Sequence, residues 1–273
     1  MTLVSSRSSR LEGLVAACWA GHALFAAVAI GFGGSGCAAH GMGQPDPGSG
    51  ERCCDELIVP ARLHVTALPG GNGVLELRAL TLREGLEALE VYASVTNVGD
   101  VHACSAALGI ELFDRDGLSL GAAVAGLLTD RFHRVADGSS ALAACVGPGE
   151  VSMAAATDLP PGLSVQEVAH IEYRCPYFAL DVEPIAGLAV AEVARVETNL
   201  GSAFTGIVVN GFGAAVQNPA VAVFPVNQAG RPLGVATSRV DRRLPPGGRW
   251  AFRTQPIDVM GAGHFAYPTG SLE

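Results

Sequence analysis

Beyond residue 56 the apolar residues alternate over short runs that Gly, Pro, Asn and Asp interrupt, the period of strands and not of helices. Val74-Leu75-Glu76-Leu77-Arg78, Leu108-Gly109-Ile110-Glu111-Leu112 and Ala220-Val221-Ala222-Val223-Phe224 are examples. Long helical patterns are missing. Leu188–Val196, with its Ala, Glu and Arg, leaves helix and strand both open. The pattern predicts an all-β chain of antiparallel sandwiches.

A second level of order is an internal repeat. Val95-Thr96-Asn97 matches Val208-Val209-Asn210, Gly117 matches Gly230, and Leu120-Gly121 matches Leu233-Gly234, all at an offset of 113 (97 to 210). Pro148-Gly149 matches Pro246-Gly247 at an offset of 98 (148 to 246), so the first copy carries 15 extra residues within Leu127–Cys145. His170-Ile171-Glu172-Tyr173 and His264-Phe265-Ala266-Tyr267 close the two copies in the same order. Asn97 and Asn210 end strand-like runs where their amides can bond the turn backbone, and Gly117 and Gly230 fall in hairpin-like turns. Two tandem sandwiches are therefore expected: residues 57–183, with the extra loop and disulfides, and residues 184–273.

The first strand-turn-strand unit runs into Ile110-Glu111-Leu112-Phe113-Asp114 and Gly117, and a Pro-Gly then precedes an apolar strand. This order resembles the FxLYD-type immunoglobulin-like modules of exported prokaryotic proteins. The likeness covers about residues 86–174 and 199–267; in the second copy Val223-Phe224-Pro225-Val226-Asn227 keeps the apolar pattern and the polar end. It implies small antiparallel sandwiches with a binding or spacing role, without cofactors or catalytic residues to carry over.

The N-terminus has the layout of an export signal: Arg7 and Arg10 in a Ser-rich start, an apolar stretch from Leu14 to Phe32, then small residues up to Cys37. Gly34-Ser35-Gly36-Cys37 resembles the lipobox of bacterial lipoproteins, with Gly34 where that family usually has Leu. The resemblance implies removal of residues 1–36, lipid attachment at Cys37, and a membrane partner reached through that lipid. Ala38 after the Cys resembles lipoproteins sent to the outer membrane of the cell envelope. An ordinary cleaved signal, giving a periplasmic or secreted protein, and an uncleaved membrane helix are the rival readings. Residues 37–56, rich in Ala, Gly, Pro and Ser, read as a flexible tether.

Composition narrows the chemistry. The 273 residues are 49% hydrophobic and 16% charged, enough for a sizeable core, and aromatics at 6% imply one built of Val, Leu and Ala. All 17 basic residues are Arg. Without lysine there is neither a P-loop nor a Schiff-base lysine. A formal charge of −9 gives no footprint for a phosphate backbone, so nucleic acid is not an expected partner.

Seven cysteines in an exported chain point to disulfides. Beyond Cys18 and Cys37, the candidates are Cys53, Cys54, Cys104, Cys145 and Cys175, all in or before the first repeat. The preferred pairings are Cys104 with Cys145 and one of Cys53 or Cys54 with Cys175; a vicinal Cys53-Cys54 bond is the strained alternative. A metal set of His102, Cys104, Cys145 and Cys175 lacks the close Cys pairs of structural zinc, so no metal is expected. The Gly31-x-Gly33-x-x-Gly36 string lies in the signal segment, not at a strand-helix junction. Asp114, Asp116, Asp130 and Asp137 offer loop oxygens for calcium, but a polar hairpin turn accounts for Asp114 and Asp116. The extra segment offers Arg131, Phe132, His133 and Arg134 as a recognition loop; a solvated, disulfide-held excursion is the plainer alternative. The expected function is a non-enzymatic envelope lipoprotein that binds a protein or polymer partner or acts as a spacer. A structural subunit of an envelope or secretion complex and a small hydrolase using His133 or His170 are the alternatives.

Overall fold

The alternating runs become strands throughout the described residues. The computed structural model describes residues 63–68, 73–85, 87–137 and 141–272. The signal segment, the tether, Cys37, Cys53 and Cys54 lie outside the described residues. The first repeat contributes β1 (His64–Ala67), β2 (Leu75–Glu84), β3 (Leu89–Asn97), β4 (Ala103–Cys104) and β5 (Ala107–Phe113). It continues through β6 (Ser119–Gly126), β7 (Phe132–Val135), β8 (Leu142–Val146), β9 (Val151–Ala156) and β10 (His170–Arg174). Two short strands, β11 (Phe178–Ala179) and β12 (Val182–Ile185), lead to the second repeat. There follow β13 (Leu188–Thr198), β14 (Gly201–Asn210), β15 (Val216–Val226), β16 (Ala236–Arg239), β17 (Arg243–Leu244), β18 (Arg249–Arg253) and β19 (Gly263–Leu272). The ambiguous segment at Leu188 is thus a strand. Among the described residues, helical geometry is confined to one 3₁₀ turn at Val165–Glu167.

The first repeat stacks the sheet β1-β10-β5-β6 on β2-β3-β9, and the second stacks β15, flanked by β16, β17 and β19, on β13-β14-β18. Among the described residues the pairing is antiparallel except that β1 runs parallel to β10. Side-chain alternation decides what each face meets. Val91, Ala93 and Val95 of β3 pack with Leu108, Ile110 and Leu112 of β5 in the first core. Tyr92 of β3 and Met153 of β9 point the other way, onto Ala222, Phe224 and Val226 of β15 and Tyr267 of β19. Val221 and Val223 turn back into the second core with Phe204, Val208, Trp250 and Phe252. Four of the five sheets among the described residues thus lie in series, with β2-β3-β9 and the β15 sheet covered on both faces; the fifth is β11-β4-β8-β7-β12. This explains why β3 is buried along nearly its whole length and why the end of β15 is apolar without interruption.

Hydrogen bonds reinforce that middle contact. The Thr81 hydroxyl donates to the Pro232 carbonyl at 2.6 Å, Arg231 donates to the Leu80 carbonyl at 3.4 Å, and the Tyr267 hydroxyl donates to the Val151 carbonyl at 3.3 Å.

The repeat is legible bond by bond. Asn97 and Asn210 are both fully buried. The Asn97 amide donates to the carbonyls of Val101 and Val146, and its oxygen accepts from Gly99 N–H. The Asn210 amide donates to Ala214, Leu244 and Pro245, and its oxygen accepts from Phe212 N–H. Gly149 and Gly247, at φ of 74° and 69°, each donate an N–H to the carbonyl of the respective Asn. In the hairpins, Asp114 accepts from the N–H groups of Asp116 and Leu118 as Asn227 does from Ala229 and Arg231. Both turns need a residue at positive φ, which Gly117 and Gly230 supply at 75° and 74°.

The aromatic content corrects one expectation. The buried residues of the first core are aliphatic apart from Cys175, whereas the second holds Phe132, Phe204, Phe212, Trp250 and Phe252. A 6% average conceals this segregation.

Candidate functional site

The two copies differ most between β6 and β9. Cys104 pairs across strands with Cys145, and Gln217 pairs with Arg243 at the equivalent positions of the second copy. Cys104 and Cys145 form a disulfide, both sulfurs deep in the structure. The extra residues of the first copy fall between Gly126 and Cys145, and they form β7 and the start of β8.

This insertion folds onto the chain that joins the repeats. β7 pairs on one side with β8 and on the other with β12, placing Phe132 opposite Ile185, His133 opposite Pro184 and Arg134 opposite Glu183. Phe132 is buried in the second core, its ring edge to face with Phe212 at 5.0 Å. Gly187 lies directly beneath: a Cβ there would collide with the Phe132 ring. The Gly211 N–H donates to the Gly187 carbonyl at 2.8 Å, closing the linker onto the loop after β14. The hairpin of one repeat thus holds the linker and plugs an aromatic side chain into the other.

Of the four residues proposed for recognition, Phe132 and His133 are buried while Arg131 and Arg134 are exposed. Arg131 pairs with Glu150 at 3.3 Å and Asp130 at 3.7 Å. Arg134 and Glu183 stand side by side on the wall of a groove of about 800 Å³ between the hairpin and the second repeat. Leu142, Ile185, Phe212 and Leu272 supply its apolar lining. A concave apolar cleft at a junction of two packed units, with a few charges at its wall, is the usual setting for ligand binding.

The remaining candidates are accounted for locally. The Cys175 thiol is buried and pushed up to about 12 by that burial, so it stays protonated and unreactive at neutral pH. It has no disulfide partner among the described residues; the expected bridge to Cys53 or Cys54 involves residues outside them. Asp114 serves its own turn. The Cys104–Cys145 bond removes both thiols from the four-residue metal set, and no group of three or more His, Cys, Asp or Glu side chains is placed to hold a metal among the described residues. His170 pairs with Glu172 at 3.6 Å and lies near the Phe113 ring, and the His264 ring lies near Phe204. Burial pushes His133 below its ordinary value, with the neighbouring His102 a second cause, and partial desolvation lowers His264, although that residue is exposed.

Sequence reasoning missed Phe212, Gly187 and Ile185, which complete the junction. The Gly211-Phe212-Gly213 string was a signal: an aromatic between two glycines marks a ring seated where the backbone must pass closely.

Fold and site together define an all-β sandwich protein whose two repeats are joined by an inserted hairpin. No known family model matches the chain, and no curated protein matches it. No helix among the described residues is long and apolar enough to cross a membrane. The disulfide suits a non-reducing compartment.

Proposed function

We propose that this chain is a non-enzymatic lipoprotein of the bacterial envelope, tethered through Cys37, that holds two immunoglobulin-like modules in fixed orientation and binds an envelope protein or polymer at their junction. The supporting observation is the inserted hairpin. It fastens one module to the other and, in doing so, builds the groove walled by Arg134, Glu183 and Phe212. Rigid mutual placement serves a display or spacing protein, because a preorganised cleft loses little ordering entropy on binding.

Mass spectrometry of the mature protein tests the anchor: a diacylglyceryl-modified Cys37 at the N-terminus is expected, and an unmodified N-terminus elsewhere overturns it. Capture from envelope extracts tests the groove. A Cβ at Gly213 meets nothing within 4 Å and the residue lines the groove, so Gly213→Trp places a large ring at the cleft. The partner retained by the native protein should be lost from this variant, and equal retention by both would exclude the groove.

A further inference from the structure

His102 and His133 are distant in sequence yet meet beside the disulfide. His102 lies two residues before Cys104, and His133 stands opposite Ala143, two residues before Cys145. The strand register puts His133 on the face of β8 that carries the Cys145 sulfur, and the His102 ring meets it from the residue that precedes β4. Their rings are 4.9 Å apart between centres, with planes at 62°. His133 is 5% exposed, and its Nδ1 is buried with no hydrogen-bond partner. His102 is half-buried, so an ion could reach the pair from solvent.

The spacing has a chemical meaning. Imidazole nitrogen binds a first-row divalent ion at about 2.0–2.1 Å and the ring centre lies about 1.2 Å further, so two imidazoles in adjacent positions on one ion, tetragonal or tetrahedral, have centres about 4.5–5.2 Å apart. A buried, unpartnered imidazole nitrogen costs less once it becomes a ligand. Glu150 lies close enough to act on His133 and supplies negative charge, although Arg131, paired with it at 3.3 Å, partly offsets it.

We propose that His102 and His133 form a two-imidazole site for a divalent transition ion, taking Cu²⁺ in preference to Ni²⁺ or Zn²⁺, with water completing the coordination. Bound there, the ion braces the approach to β4 against β7 and so tightens the hairpin that joins the repeats. The site is independent of the groove and of the lipid anchor.

Electron spin-echo spectroscopy of the full-length, untagged protein with one equivalent of Cu²⁺ tests the proposal. The signature of two coordinated imidazoles is expected. His102→Ala, at a half-buried position and with its fold checked by circular dichroism, should reduce it to one or none and weaken Cu²⁺ by at least about tenfold. His264→Ala, the control, should change neither. Native protein without a two-imidazole signal, or His102→Ala binding as the native protein does, overturns the site.

Discussion

The two repeats share a hydrogen-bond skeleton and differ in how they are held. The first encloses an aliphatic core and fastens it with a disulfide between β4 and β8. The second places Gln217 and Arg243 at the same cross-strand position and fills its core with Phe and Trp. One skeleton thus has two sources of stability: a covalent bond that restricts the unfolded chain, and large rings that remove more apolar surface from water per residue.

The comparison is most severely tested in the second core. Phe204→Ala should cost ~4 kcal/mol, more than the ~3 kcal/mol expected for Leu108→Ala in the first, measured by urea unfolding. The reverse ranking would break the contrast. Next, replacing Cys104 and Cys145 by Ser should cost about 4 kcal/mol by chain entropy across their separation of 41 residues. The complementary double variant, Gln217→Cys with Arg243→Cys, should close a new disulfide on air oxidation, detected as a two-dalton loss by mass spectrometry. Failure to close would show that the equivalence of the two positions stops at the backbone.

Smaller effects probe what the copies share. Asn210→Ala should cost roughly 1–3 kcal/mol and somewhat more than Asn97→Ala, because its amide serves three carbonyls where Asn97 serves two. Equal and negligible costs would leave the Asn turns with no part in stability. The smallest effect is on pH dependence. Partial desolvation of the His264 ring against Phe204 lowers its pKa even though the residue is exposed, so the unfolded chain takes up the proton at a higher pH than the folded one and the effect is small. The stability it contributes is present above the unfolded value of about 6.5 and is lost as pH falls through the folded value. His264→Gln should therefore flatten the fall in melting temperature between pH 7 and pH 5.

The sequence disclosed strands, turns and the position of the insertion because each depends on local chemistry. Alternation reports a half-buried strand, and the buried Asn turns recur at a fixed offset because both need the same amide geometry. The role of Phe132 was not legible. Beside Arg131 and Arg134 it reads as a surface loop, and its burial depends on Phe212, about eighty positions away. Ala220–Phe224 carried a further signal: it is apolar on both faces, which an exposed sheet would not tolerate, and it marks the side covered by the first repeat. The aromatic segregation was hidden for a simpler reason, since composition averages over the chain and packing does not.

β1 enters beside β10 in parallel, pairing His64 with His170 through Ala67 with Tyr173. Its four residues are exposed on both faces, so these pairings carry most of its attachment. The chain arrives at the N-terminal end of β1 and leaves toward the second repeat from the C-terminal end of β10. A pull between those points therefore loads the pairings in shear, all together, instead of peeling them one by one. Mechanical tension applied at residue 63 would meet its resistance there before it reached either core.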